Sequence, residues 1–300
     1  MAELLRGDGI KLITLTAQAS IILIVMSLGM SSSWSEATYL FRNPRLLLRS
    51  IVSRNVVIPL VAVLLLKIFP FHAAVAITIG VLAATPVPPI LPISMLKAGG
   101  RECYTFGLLV SQAVLAIVMV PLILLAMREA FARNSDYATG PVTKLVFITV
   151  LLPFMAGIVI RKLFGEQARQ AGRKLGRVGN ILLIIAIIPM LFIAWTALHD
   201  LIGQGVLAGL TAMVIIGLLT GHTLGGPDEH DRTVLALATA SAHPGIALGI
   251  AKANFPHHIK LVAGSIVIYL ILRAILVIPY IRWRHRPTSP RGDIHAPARA

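Results

Sequence analysis

Four prolines, Pro86, Pro88, Pro89 and Pro92, interrupt the stretch Ile77–Lys97, which is otherwise apolar enough to lie in a bilayer. Proline lacks a backbone N–H and clashes with the carbonyl four residues back, so the carbonyls of Leu82, Ala84, Thr85 and Pro88 lose their helical partners. Backbone groups freed at bilayer depth are tolerated only where protein or a water-filled cavity satisfies them. A second stretch, ATASAHPGIALGIAK from Ala238 to Lys252, breaks at His243-Pro244-Gly245. Both stretches carry an Ala-Thr pair, then a proline, and Pro89 precedes Lys97-Ala98 by the interval that separates Pro244 from Lys252-Ala253. A half-helix N-terminus offers unpaired N–H groups and positive potential, which suits an anion, and a half-helix C-terminus offers carbonyls, which suit a cation. The competing reading is a pair of packing kinks, since proline is commoner in membrane helices than in soluble ones. Two breaks of one pattern favour a substrate pathway built from discontinuous helices.

His243 is the ionisable residue of the second break, and an ionisable group inside a membrane segment is a functional candidate by default. It could bind substrate, carry a proton with its ordinary pKa of about 6.5, or simply hydrogen-bond a freed carbonyl. Thr85, Thr239 and Ser241 could line the same cavity, or act as interhelical glue. Gln18 and Gln112 are costly against lipid, so each is expected to face the bundle interior. The candidate substrate or ion site is therefore Thr85, Pro86, Pro88, Pro89, Thr239, Ser241, His243 and Gly245, with Gln18 and Gln112. The loop Gly221–Arg232 holds Asp228, Glu229, His230 and Asp231, read as solvated acids, since no metal-ligand spacing recurs. No Walker motif, dinucleotide loop or nucleophile elbow is present.

The elements that must position these residues follow from composition. Of 300 residues 57% are hydrophobic and 13% charged, against about 25% charged in a soluble domain. About nine apolar spans are expected: Ile13–Met30, Ser50–Phe69, Ala73–Leu96, Tyr104–Met127, Val142–Ile160, Val178–Ala197, Ile202–Leu219, Val234–Ala253 and Ile259–Tyr280. The start of the chain lacks a signal-peptide pattern, so the first span is expected to be retained. Cys103 is the lone cysteine and forms no internal disulfide. The formal charge of +15 would suit nucleic acid, but the basic residues sit between apolar spans, and no nucleic-acid partner is expected.

Lysine and arginine crowd one set of loops, with Arg42, Arg45, Arg49, Arg54, Lys97, Arg101, Arg161, Lys162, Arg232 and Arg282 among them. That set should be cytoplasmic, which puts the C-terminus inside and the N-terminus outside. The broken spans, third and eighth, then cross in opposite directions, as inverted repeats require. The expected organisation is one transmembrane domain over residues 1–286, with repeat one at about 12–128 and repeat two at about 141–284. Residues 287–300 read as a disordered cytoplasmic tail. The segment Ser31–Arg49, with Trp34, Tyr39 and Phe41 beside arginines, is expected along the cytoplasmic interface.

Several local patterns coincide: SLGM followed by FRNPRLLLR, AATPVPPILPISMLKAGG leading into YTFGLLVS, and TASAHPGIALGIA after Asp231-Arg232-Thr233. On these the chain resembles the bile acid:sodium symporter family, within the superfamily of bile acid, arsenite and auxin carriers, from about Leu15 to Trp283. The resemblance implies panel and core domains, two broken helices crossing in the core, alternating access and sodium-driven import of organic anions. It also implies sodium as coupling ion, held by a glutamate and a glutamine one turn later. Those places fall here at Ala238 and Ala242, and the usual Cys-Pro-Gly-Gly turn at the first break reads Thr85-Pro86-Val87-Pro88.

The expectation is thus an all-α polytopic protein of the inner membrane. It is a secondary transporter of a small organic solute, expected to be anionic, with the lipid bilayer as surroundings and no resident cofactor. A proton-coupled or uncoupled carrier of the same fold is the alternative within the class. An intramembrane enzyme or a sensor is the alternative outside it, but catalysis by His243 would want a second group at depth, and the spans offer no Asp or Glu.

Overall fold

The computed structural model describes residues 7–131, 144, 147–201 and 205–284. The tail expected at 287–300 lies outside the described residues. Every regular element among the described residues is helical. The first helix, α1 (Gly7–Ser31), is followed by two single turns, α2 (Trp34–Ala37) and α3 (Tyr39–Arg42). Helix α4 (Pro44–Ile51) runs through a π-helical turn (Val52–Val57) into α5 (Ile58–Ile68). Two short helices, α6 (Ala73–Ala84) and α7 (Leu91–Lys97), flank the proline cluster, and α8 (Glu102–Phe131) follows. After a second π-helical turn (Phe147–Leu151) come α9 (Leu152–Leu201) and α10 (Val206–Leu224). Then α11 (Glu229–Thr239) and α12 (Pro244–Asn254) flank the second break, and α13 (Ile259–Arg284) ends the described fold.

Among the described residues, six helical segments are long and apolar enough to cross a membrane, Pro44–Ile68, Glu102–Met127, Phe147–Ala186, Val206–Leu224, Glu229–Asn254 and Pro256–Arg284. Their outward surface is apolar: Leu60, Leu64, Val118, Leu122, Ile184, Leu219 and Ile275 are all exposed. Ser20, Ser53, Arg54, Thr78, Thr105 and Gln112 are buried instead. This reverses the pattern of a soluble protein, as a hydrocarbon surround demands.

The segment Phe147–Ala186 turns back on itself. Gly165 sits at φ +55°, ψ −129°, a conformation that essentially only glycine adopts, so α9 comprises two helices meeting there. Helix α1 packs against both. The approach is close enough that a Cβ on Gly29 would lie 2.3 Å from the Phe154 carbonyl, and one on Gly157 2.3 Å from that of Met26. Small residues let membrane helices approach in this way. Elsewhere α10 packs on α11, and α13 packs against α6, α9, α10 and α12.

Two details differ from the sequence reading. The span expected from Ser50 opens at Pro44 instead, and Asn43-Pro44 separates it from α2 and α3, which pack on α8. A capping box between Ser33 and Glu36 fixes the start of α2. Second, Arg54 is no loop cation. It is 2% exposed, inside the Pro44–Ile68 span.

Candidate functional site

The two breaks meet. Helix α6 ends at Thr85, which is extended (φ −82°, ψ 151°), and α11 ends at Ala240. The His243 backbone N–H donates to Thr85 Oγ1 (3.0 Å), so a hydrogen bond joins one interrupted helix to the other. The orphan carbonyls of both helix ends are taken up by side chains from neighbouring helices. Arg54 Nη2 donates to the carbonyls of Leu82 (3.2 Å) and Thr85 (2.5 Å). The Tyr269 hydroxyl donates to the Ala240 carbonyl (3.0 Å) and accepts from the Ala242 N–H (2.7 Å). Ser241 Oγ donates to the Leu237 carbonyl (2.5 Å) and accepts from Arg273 Nε (2.6 Å). Thr239 Oγ1 and Ser53 Oγ share a bond of 2.7 Å. The freed carbonyls of Leu82, Thr85, Leu237 and Ala240 are thus satisfied by protein side chains, as burial within a membrane segment requires.

Arg54 reaches its carbonyls from the π-helical turn. Pro59 has no N–H for the carbonyl of Asn55, so the regular ladder fails one turn before it, and the wider turn Val52–Val57 fills the gap. Such turns recur at functional positions. The Phe147–Leu151 turn stands in the same relation to Pro153.

Against the crossing lies a cavity of about 200 Å³ lined by Pro88, Pro89, Ile90, His243, Pro244, Gly245 and Arg273, with Ala17 and Ile21 of α1 on the facing side. His243 is 2% exposed. Its Nδ1 accepts from the Ile246 N–H (3.3 Å), capping α12. A nitrogen that accepts carries no proton, so the neutral ring bears its proton on Nε2. That atom is buried with no partner among the described residues. Arg273 is partly buried and lines the same cavity, and neither Arg54 nor Arg273 forms an ion pair among the described residues. The arrangement is a donor-rich, largely apolar chamber without a carboxylate.

The sequence-derived candidates divide. Thr85, Thr239, Ser241 and His243 belong to the hydrogen-bonded crossing, Pro88, Pro89 and Gly245 line the cavity, and Pro86 is buried in the linker between α6 and α7. Gln112 is 2% exposed on α8 with Nε2 unpartnered among the described residues, and does not line the cavity. Gln18 is partly buried on α1, one position round from the lining residues Ala17 and Ile21. Two residues were missed. Arg273 stands mid-way along an apolar span, a signal that intramembrane charge alone would have raised. Arg54 was hidden by its closeness to the basic run before it.

The acids of the Gly221–Arg232 loop also differ from the solvated reading. Asp228 caps α11 through the N–H groups of His230 and Asp231. Asp231 is 1% exposed and forms a two-pronged pair with Arg101, while His230 Nδ1 donates to the Gly99 carbonyl (2.5 Å). These contacts tie the turn after α7 to the turn before α11. No group of three or more metal-ligating side chains occurs among the described residues.

A family model for the sodium bile acid symporter family matches residues 19–201. No curated protein matches the chain.

Proposed function

The chain belongs to the sodium bile acid symporter family, and from that premise we propose that it is a secondary transporter of a small organic anion, working by alternating access at the crossing of its two interrupted helices. The observation that carries this reading is Arg273 lining the same cavity as a buried His243 Nε2 that has no partner among the described residues, with no carboxylate in the lining. An unpaired cation is costly in a low-dielectric setting. A carboxylate or sulfonate in the cavity would offset the Arg273 charge and accept from His243 Nε2–H. The apolar remainder of the lining suits a short hydrocarbon body.

On this reading the helices make nine crossings: α1, α4–α5, α6–α7, α8, the two halves of α9, α10, α11–α12 and α13. Helix α1 with α9 would form the panel and the rest the core, in two inverted repeats, with the solute in the cavity beside His243 and Arg273. The protein would lie in the inner membrane with its N-terminus outside. Uptake of radiolabelled short-chain carboxylates and sulfonates into proteoliposomes tests the proposal. Saturable uptake lost in Arg273→Gln supports it. Absence of uptake for the whole panel, from protein with an unchanged unfolding temperature, would sink it.

A further inference from the structure

The family's name implies a sodium ion, and the residues at the crossing can be tested against one. A hard cation needs several oxygens, and at membrane depth a full negative charge to offset its desolvation. The oxygens are present but committed. The Leu82 carbonyl accepts from Thr85 Oγ1 (2.9 Å) as well as from Arg54, and the Thr85 carbonyl accepts from Arg54. Thr85 Oγ1 already accepts from His243, Ser241 Oγ from Arg273, and the Ala240 carbonyl from Tyr269. The charge is missing altogether. Among the described residues the buried acid is Asp231, and it is bound to Arg101. A sodium ion placed on the α6 carbonyls would also sit within a few ångströms of a guanidinium, where like charges repel strongly. The residues present do not fit a sodium ion.

We infer that the Arg54 guanidinium is a resident cation: tethered to the π-helical turn, it holds the carbonyl end of α6 open in the place of an ion drawn from solution, and the crossing binds no sodium. If the transport reading above holds, uptake is then independent of sodium. The geometry explains why a guanidinium serves. The two N–H groups of one nitrogen, Nη2, reach two carbonyls three residues apart while the delocalised charge complements the negative end of the α6 dipole. A guanidinium is also more weakly hydrated than an ammonium, so holding it buried costs less. At the second break the guanidinium is one step removed: Arg273 donates to Ser241 Oγ, which donates to the Leu237 carbonyl, while the neutral Tyr269 hydroxyl takes the Ala240 carbonyl. Direct contact between a cation and the freed carbonyls is therefore a feature of the first break.

Thermal unfolding of the full chain in detergent, in sodium chloride against choline chloride at equal ionic strength, tests binding without any knowledge of the substrate. A ligand at about 100 times its Kd raises Tm by roughly 5 °C or more in a protein of this size. The wild type is expected to show no sodium-specific rise. Arg54→Ala is expected to have a lower Tm in choline and to regain part of it, saturably, with methylguanidinium or sodium in the vacated space. A saturable sodium-specific rise in the wild type would overturn the inference, as would an Arg54→Ala protein as stable as wild type and indifferent to both cations. Should Arg54→Ala fail to fold, the wild-type measurement still decides. In proteoliposomes, carboxylate uptake in choline should equal that in sodium within about twofold, and a drop of about tenfold or more would again overturn it. No uptake in either salt, with no sodium effect on Tm, would remove the transport reading and leave the resident cation standing.

Discussion

His243 does two things with one ring, and they can be separated. Nδ1 caps α12, and Nε2 is a buried donor with no partner among the described residues, on a ring that lines the cavity. Asparagine is a good cap but offers nothing at the Nε2 position. His243→Asn should therefore keep the unfolding temperature and lose about tenfold or more in apparent affinity, the worth of a hydrogen bond to a charged group. His243→Ala should lose the cap as well, at about 1 kcal/mol, visible as a lower Tm. Equal loss of stability in both variants would contradict this division. Arg273 Nε holds Ser241, which leaves the rest of the guanidinium for a ligand. Arg273→Lys keeps the charge and loses the fork, so uptake should fall less than in Arg273→Gln, which forfeits a charge-assisted bond and about 10- to 100-fold in affinity. Uptake kinetics across a substrate series would measure both.

At the scale of elements, the two interrupted helices are fixed at their outer ends as well as at the crossing. Asp231 is 1% exposed, and its partner is Arg101. Removing Arg101 strands a buried carboxylate, at a cost of about 2–3 kcal/mol. Arg101→Ala should thus lower Tm by several degrees, and adding Asp231→Ala should restore part of the loss, a coupling that a double-mutant cycle in thermal unfolding would reveal. Strict additivity would show that the pair contributes nothing. Burial alone would raise the neighbouring Asp228 carboxyl, but the His230 and Asp231 amides and the Arg101 charge outweigh it and hold it below its usual range. The cap it provides is accordingly present at neutral pH and lost as the pH falls through that lowered value. The crossing itself is open to chemistry: cysteines at Ile90 and Ala242, which line one cavity, should be joined by a short reagent on a Cys103→Ser background. Failure to crosslink, in a protein that still folds, would mean that the breaks do not face each other in the membrane.

For the whole molecule, the testable matter is orientation. The lysine and arginine bias predicts a cytoplasmic C-terminus, so alkaline phosphatase fused there should be inactive, and an active fusion would invert the topology. The same sequence bias misread Arg54 as one more loop cation. The difference is instructive about what each level of description holds. Covalent and compositional facts are local, and they sufficed for the all-helical membrane class, for the two breaks and for the family. A proline removes its own N–H wherever it lies, and an apolar run of about twenty residues suits hydrocarbon in any context. What fills a freed carbonyl is not local. Thr85 meets His243 across 158 positions, Leu82 meets Arg54 across 28 and Ser241 meets Arg273 across 32. Those partners depend on how the helices pack. The π-helical turn before Pro59 turns Arg54 from the basic run into the core, and the close approach of α1 to α9 closes the other side of the cavity. Sequence alone determined that the helices break and that each break leaves polar backbone inside a membrane. Only the tertiary structure decided that an arginine meets it, because satisfying a buried carbonyl depends on distance in space and not on distance along the chain.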